Sequence, residues 1–270
     1  MELISILIPA YNHQNYLKQC LDSILNDSYP NKEIVIINDG SSDDSDKVIK
    51  EWIDKNQTKI KIKYKSRENR GLTKTLNELL AWSEGEFITT LASDDYLIDG
   101  GLEKRYNYLK KHPNKYAVFG DCISVDSNNN LLHDSALFGL KNANRVNLQT
   151  DDGIQKEFIT NFSMPGPVLL IRRDYYKKFG NYNEQMYMED FDLYLNLASK
   201  NLIGFLDEKV SAYRIHDFNM SSTNNKNYSK LLKDSRKVLL LHKNSFKGYK
   251  KFLLYKEILK FSIRIALKID

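Results

Sequence analysis

Short apolar runs alternate with helix-period segments along the N-terminal half of the chain. Leu3-Ile4-Ser5-Ile6-Leu7-Ile8, stopped by Pro9, reads as a buried strand. Tyr16, Leu17, Cys20, Leu21, Ile24 and Leu25 then recur at i, i+1, i+4, i+5, i+8 and i+9, which is one apolar face of a helix. Tyr29-Pro30-Asn31 is a turn, and Glu33-Ile34-Val35-Ile36-Ile37 is a second strand running into Asn38-Asp39-Gly40-Ser41-Ser42. Asp43 and Asp44 favour the start of a helix that continues through Trp52. Ile60 to Tyr64 gives a third strand, and Leu72, Leu76, Leu79 and Leu80 mark a further helix. Phe87-Ile88-Thr89-Thr90-Leu91 is a short, β-branched strand that ends in Ala92-Ser93-Asp94-Asp95, ahead of a helix over Gly101 to Lys111. Strands alternating with helices predict an α/β fold, a mostly parallel sheet flanked by helices on both faces.

The second half is less regular. Tyr116 to Gly120, Cys122 to Val125, Val168 to Ile171 and Val210 to Ile215 read as strands, and Asp126 to Asn130 as a turn. Met164-Pro165-Gly166-Pro167 is a tight loop. Glu189-Asp190 opens a helix with Phe191, Tyr194, Leu195 and Ala198 inward, and Asn224 to Asn227 is a polar linker before two amphipathic helices. We therefore expect a domain over residues 1–223 and a helical tail over residues 224–270.

Three strand ends carry polar clusters: Pro9-Ala10-Tyr11-Asn12, Asn38-Asp39-Gly40 and Ser93-Asp94-Asp95. In a parallel sheet they share one edge, and open α/β sheets bind ligands beyond the carboxyl ends of their strands. Asp94 and Asp95 repel each other. A hard cation such as Mg²⁺ or Mn²⁺, which takes carboxylate and phosphate oxygens together, relieves that repulsion. Taken singly, the acidic pair is a helix-capping turn and Pro9 to Asn12 an ordinary strand-to-helix turn. Their convergence is what points to a site.

Charge and composition add two constraints. The net charge of +5 hides an asymmetry: residues 226–270 hold 13 Lys+Arg against 3 Asp+Glu, and the remainder 27 against 32. Such a basic tail suggests an anionic partner. Cys20 and Cys122 lack metal-ligand spacing and read as reduced core residues. Leu3 to Ile8 is too short for a signal peptide and lacks a basic n-region, and no apolar run reaches transmembrane length. The expectation is a cytoplasmic protein. Pro9 to Asn15 has no Gly-rich phosphate loop, which argues against both a nucleotidyltransferase and a dinucleotide-binding oxidoreductase.

With these residues laid out, the chain resembles the inverting nucleotide-sugar glycosyltransferases of family 2, which have the GT-A fold. The resemblance covers roughly residues 3–220 and rests on Ile6 to Asn12, Ile36 to Asp43, Glu68-Asn69-Arg70-Gly71-Leu72, Ser93-Asp94-Asp95 and Glu189-Asp190, in that order. It implies that Pro9, Ala10, Tyr11 and Asn12 border the nucleotide, with Tyr11 offering a stacking face. Asp39 would accept from a uracil or thymine N3–H, Asp94 would lie near the ribose and diphosphate, and Asp95 would ligate Mn²⁺ or Mg²⁺, joined by His216. Two departures stand out. Ala92 occupies a position where relatives carry Asp, and Thr75-Leu76-Asn77 stands where they carry Ala-Arg-Asn. Arg70 or Lys74 would replace that arginine, Asn69 would sit beside them, and Arg214 could meet phosphate. Gly166 would admit the donor sugar.

The resemblance also implies the chemistry. A carboxylate must take the proton of the acceptor hydroxyl, and Asp190 is placed for it at a helix N-terminus, where the dipole favours the ionised form. Glu189 would orient it or bind the acceptor, and Asp192 is the alternative base. The donor would be a UDP-hexose or UDP-N-acetylhexosamine, with dTDP-rhamnose second. The acceptor would be a saccharide, free or lipid-linked, in bacterial surface-polysaccharide synthesis. A non-catalytic sugar-binding module is the alternative of another class.

In the tail, Lys256, Lys260, Arg264 and Lys268 form a basic stripe amid Leu253, Leu254, Ile258, Leu259, Phe261, Ile263, Ile265 and Leu267. A helix packed on the domain, or on a second copy in a homo-oligomer, is one reading. Docking on an anionic membrane at its inner face is the other. Aliphatic bulk in place of stacking aromatics argues against nucleic acid.

Overall fold

The structure, a computed structural model, describes residues 1–162, 164–217, 219 and 228–267. The strand–helix alternation holds through the first half: β1 (Ile4–Ala10), α1 (Leu17–Asn26), β2 (Lys32–Asp39), α2 (Ser45–Asn56), β3 (Lys61–Arg67), α3 (Leu72–Trp82), β4 (Phe87–Thr90), β5 (Tyr96–Leu97) and α4 (Gly101–Lys111). The second half adds β6 (Ala117–Val125), β7 (Leu131–His133), a π-helical turn (Ala136–Leu140), α5 (Arg145–Leu148), α6 (Asp151–Thr160) and a 3₁₀ turn (Gly166–Val168). It continues with β8 (Leu169–Arg172), α7 (Arg173–Phe179), α8 (Glu189–Ser199), β9 (Ile203–Arg214), α9 (Tyr228–Leu241) and α10 (Gly248–Leu267).

The strands form one sheet in the order β3-β2-β1-β4-β8-β6-β9-β5, with β7 beside β6. From β3 to β4 every pairing is parallel. β8 runs antiparallel to both β4 and β6, and β9 returns parallel to β6. Side chains alternate across β1 and β2. Ile4, Ile6, Ile8, Ile34 and Ile36 join Leu17, Leu21 and Trp52 under one face, while Leu7, Val35 and Ile37 join Leu76, Leu79 and Phe119 under the other. This two-sided burial explains why both strands read as continuous apolar runs. The edge strand β3 is protected by Lys61, Lys63 and Lys65, which pair with Glu84 and Glu78.

Three features differ from the sequence expectation. Tyr116–Gly120 and Cys122–Val125 are one strand, β6, whose register against β9 shifts around Asp121. β9 begins seven residues earlier than the expected Val210, because its polar stretch Asp207-Glu208 lies at that irregularity with its side chains outward. β5 and β7 were too short to register as periodic segments. The tail packs on the domain, one of the two readings expected of it: Val238, Leu239, Phe246, Leu253, Leu254 and Ile258 belong to the same buried cluster as Phe119, Phe158 and Phe191, and α10 lies against α6 and α9. The linker Asn224–Asn227, the boundary at residue 223 and Lys268 lie outside the described residues.

Candidate active site

β1, β2 and β4 are parallel, so their carboxyl ends share one edge of the sheet, as the polar clusters required. At the β2 end, Asp39 is 4% exposed. Its Oδ1 accepts the Arg70 N–H at 2.8 Å and the Arg67 guanidinium, and its Oδ2 accepts the Gly71 N–H at 3.1 Å. A carboxylate has about four acceptor positions, so one remains on Oδ2. Gly40, at φ +73°, allows the close approach behind this arrangement: a Cβ there would stand 2.6 Å from the Asn69 amide nitrogen. Tyr11 is 48% exposed, which leaves its ring face open. Asn12 adopts a left-handed conformation, and its Oδ1 accepts the Ser42 N–H, tying the β1 loop to the β2 loop. Pro9 and Ala10 lie at the end of β1. Asn69, Arg70 and Lys74 are exposed, in and just after the segment whose Arg70 and Gly71 amides bond Asp39.

At the β4 end the two aspartates have different surroundings. Asp94 Oδ2 lies 3.0 Å from His216 Nε2, and Asp94 Oδ1 lies 3.7 Å from His13 Nδ1. One ligand atom from each of His13, Asp94 and His216 falls within 4.8 Å of the others. Ser93 Oγ sits 2.8 Å from His13 Nδ1, and Tyr16 stacks on the His216 ring at 5.3 Å. Burial opposes charge on Asp94, but the hydrogen bond with His216 and the charge of His13 outweigh it and hold the carboxyl below its usual range. Asp95 stands outside this group. Its Oδ1 accepts the Arg214 N–H at 2.8 Å, and burial together with the Asp94 charge pushes its carboxyl well above the usual range.

Among the described residues the potential ligands that converge are His13, Asp94 and His216; Asp95 is not in that group, and His13 is a donor the sequence reading missed. The only signal for it was a histidine four residues beyond Pro9 in the β1–α1 loop. Arg214 is likewise not placed for phosphate. It is 1% exposed, and its guanidinium donates to Asp94 O, Asp126 O, Gln19 Oε1 and Asn129 Oδ1. It fixes the end of β4 against the β6–β7 turn.

The third part of the site is the start of α8. Glu189 is buried and Asp190 half-buried. Burial raises the Asp190 carboxyl to about 6, against the Phe191 N–H bond and the charge of Lys141. Burial and the negative charges of Asp190 and Asp234 raise Glu189 well above its usual range. Burial raises the Tyr182 hydroxyl, with a smaller push from the charges of Glu189 and Asp190, and it hydrogen-bonds Tyr176 and Thr90, the last residue of β4. Asp192 points elsewhere: its Oδ1 is 2.7 Å from His242 Nε2 on the tail. Gly166, exposed in the 3₁₀ turn, faces Asp95; a Cβ there would meet Asp95 Oδ2 at 3.9 Å.

The parallel half-sheet, the antiparallel return through β8 and the acidic β4 edge make this a GT-A fold with a C-terminal helical extension. The family model for glycosyl transferase family 2 matches residues 5–180, and the chain belongs to that family. It is 30% identical over 223 residues to an uncharacterized glycosyltransferase of Rickettsia typhi, covering 82% of this chain and 66% of that protein. It is 26% identical over 216 residues to the GalNAc(5)-diNAcBac-PP-undecaprenol beta-1,3-glucosyltransferase of Campylobacter jejuni, covering 80% and 65%. The chain therefore spans just under two thirds of the length of these relatives. Among solved structures, S. aureus TarS 1–349 in complex with UDP-GlcNAc gives a TM-score of 0.74 at 19% identity, covering 100% of this chain and 76% of that one. The mannosyltransferase PcManGT from Pyrobaculum calidifontis, in complex with GDP-Man and Mn²⁺, gives 0.66 at 15% identity, covering 98% and 70%. At these identities the structural matches speak to the fold.

Proposed function

We propose that this protein is an inverting glycosyltransferase that moves a sugar from a UDP-linked hexose or N-acetylhexosamine to a hydroxyl of a lipid-linked saccharide. The observation that carries the reading is two differently tuned acids, one at the β4 end and one at the start of α8. Asp94 is held ionised beside two imidazoles, while the Asp190 carboxyl is raised to about 6, so that near neutral pH it is ionised yet basic enough to take a proton. The acceptor oxygen attacks the anomeric carbon, its proton passes to Asp190, and the bond to the diphosphate breaks with the electron pair leaving on phosphate. Attack from the face opposite the leaving group inverts the configuration. Asp39, through its remaining Oδ2 position, accepts the base N3–H, and Tyr11 stacks on the base. The UDP-GlcNAc bound by TarS and the undecaprenol-linked substrate named for the Campylobacter relative support the donor and acceptor classes.

The β4 edge fits a divalent cation. Asp94 Oδ1 is buried without a hydrogen-bond partner, and two imidazole nitrogens converge on the same carboxylate. His13, Asp94 and His216 would hold the ion, and a set with two nitrogens suits Mn²⁺ better than Mg²⁺. A metal there supplies Lewis acidity toward the leaving diphosphate.

The test is release of nucleoside diphosphate from a panel of UDP-, dTDP- and GDP-sugars with a lipid-linked saccharide acceptor. Release that requires both acceptor and a UDP-sugar is expected. Release with dTDP-rhamnose alone would favour the rhamnosyl reading, and release from no donor would favour a sugar-binding module.

The tail carries a second reading, that α10 docks on an anionic membrane where such an acceptor resides. Phe252, Lys256, Leu259, Lys260, Ile263 and Leu267 share one exposed face of α10. The two acids of residues 228–267, Asp234 and Glu257, are both buried, so the surface there is basic. Each basic residue near an anionic leaflet contributes about 1 kcal/mol, so changing Lys256, Lys260 and Arg264 to Gln should weaken vesicle binding roughly a hundredfold. Flotation with anionic and neutral vesicles measures this. Equal flotation of both proteins would leave the face to a second copy of the chain. Among the described residues no helix is long and apolar enough to cross a membrane.

A further inference from the structure

The helix that carries Asp190 has an unusual start. Its first turn holds three acids, Glu189, Asp190 and Asp192, and its N-cap residue, Met188, supplies no side-chain hydrogen bond. Helix N-termini normally have a local cap for their free N–H groups. Here Asp190 Oδ1 accepts only the Phe191 N–H, and the amides just ahead of the helix find their acceptor on the tail. Asp234, on α9 and 8% exposed, accepts the N–H groups of both Tyr187 and Met188 through Oδ2, each at 2.7 Å.

Three further contacts from α9 and the turn after it reach the same segment. Ser235 Oγ donates to Met188 Sδ at 2.9 Å, and Lys237 Nζ donates to Gln185 O at 2.7 Å. His242, 4% exposed, sits with Nε2 2.7 Å from Asp192 Oδ1, and its other nitrogen lies 3.3 Å from Ser245 Oγ. Both sides of the Glu189-Asp190 pair are therefore gripped: Tyr187 and Met188 before it, Asp192 after it.

Simple packing of α9 on the domain would need only its apolar face, which Val238 and Leu239 supply. It would not need a buried carboxylate aimed at two backbone amides beside the buried Glu189 and the half-buried Asp190. Placing a further carboxylate there is costly unless its hydrogen bonds are made. We propose that Asp234 is a positioning residue: by holding the Tyr187 and Met188 amides it fixes the α8 N-terminus, and with it the direction in which Asp190 faces the acceptor hydroxyl. His242 is the second point of the same clamp, keeping Asp192 turned away from the site. The inference rests on Asp190 being the base, and it makes the tail part of the catalytic unit rather than an appendage.

The test has an arm that does not depend on transfer. Hydrogen exchange on the full chain should show the Tyr187 and Met188 amides protected in wild type. In Asp234→Ala they should exchange at least about tenfold faster, with amides of α2 unchanged. In the transfer assay, Asp234→Ala should lower kcat about ten- to a hundredfold while donor KM stays within about twofold, because the donor contacts come from β1, β2 and β4. Asp234→Asn, which keeps one acceptor oxygen, should recover most of kcat. Val238→Ala is the control for general loosening of α9, since it opens a cavity without touching the α8 junction. If Val238→Ala, at an equal loss of thermal stability, lowers kcat as much as Asp234→Ala, or if the two amides exchange equally fast in wild type and Asp234→Ala, the positioning role is overturned. Absence of transfer in wild type would instead overturn the functional reading and leave the exchange result standing.

Discussion

Asp190→Asn is expected to bind donor normally and to lose transfer by about 10³-fold, within the range that general-base catalysis contributes. The donor contacts proposed above come from β1, β2 and β4, which the change leaves untouched, so calorimetric affinity for the nucleotide sugar should stay within about twofold. The same residue sets the pH dependence. Burial raises the Asp190 carboxyl to about 6, and only the ionised form can accept the proton. Wild-type kcat should therefore be flat above that value and fall about tenfold per pH unit below it. Asp192, the alternative base, is engaged by His242 on the tail, so Asp192→Asn should leave transfer within about threefold of wild type. Transfer by Asp190→Asn at near the wild-type rate would move the role to Glu189.

Loss of Mn²⁺ binding is the second large effect expected, and it separates the two adjacent aspartates. Asp94→Asn removes the carboxylate on which His13 and His216 converge, so Mn²⁺ affinity should fall at least a hundredfold, more than loss of a supporting residue typically costs. Asp95→Asn should keep affinity within about threefold, because the Asp95 carboxyl lies outside the cluster and an amide oxygen can still accept the Arg214 N–H. Paramagnetic resonance of free Mn²⁺ in a titration reads this without any turnover. His13→Ala and His216→Ala should each weaken binding, and the chelated wild type should lose diphosphate release. A protein in which Asp95→Asn loses Mn²⁺ while Asp94→Asn keeps it would reverse the assignment.

What the sequence determined by itself was the alternation of strand and helix in the first half, because there every apolar residue had one neighbouring layer to face. Ile4, Ile6 and Ile8 go to one side and Leu7 to the other, and the spacing of Leu17, Cys20, Leu21 and Ile24 covers them. From that alternation follow the parallel order of β1, β2 and β4 and the shared edge carrying Asp39, Asp94 and Asp95. Which partner each of the two adjacent carboxylates meets was not legible, since the partners lie far along the chain. Asp94 meets His216, 122 residues away, and Asp95 meets Arg214, 119 residues away. Local pattern places a residue at a strand end but says nothing of contacts closed across such loops. The tail shows the same division. Its helical period and basic charge were plain from residue order. That Asp234 and His242 reach the start of α8 follows only from how α9 packs, because one of two acids amid eleven Lys and Arg over residues 228–267 looks like any solvent-facing charge until the fold buries it.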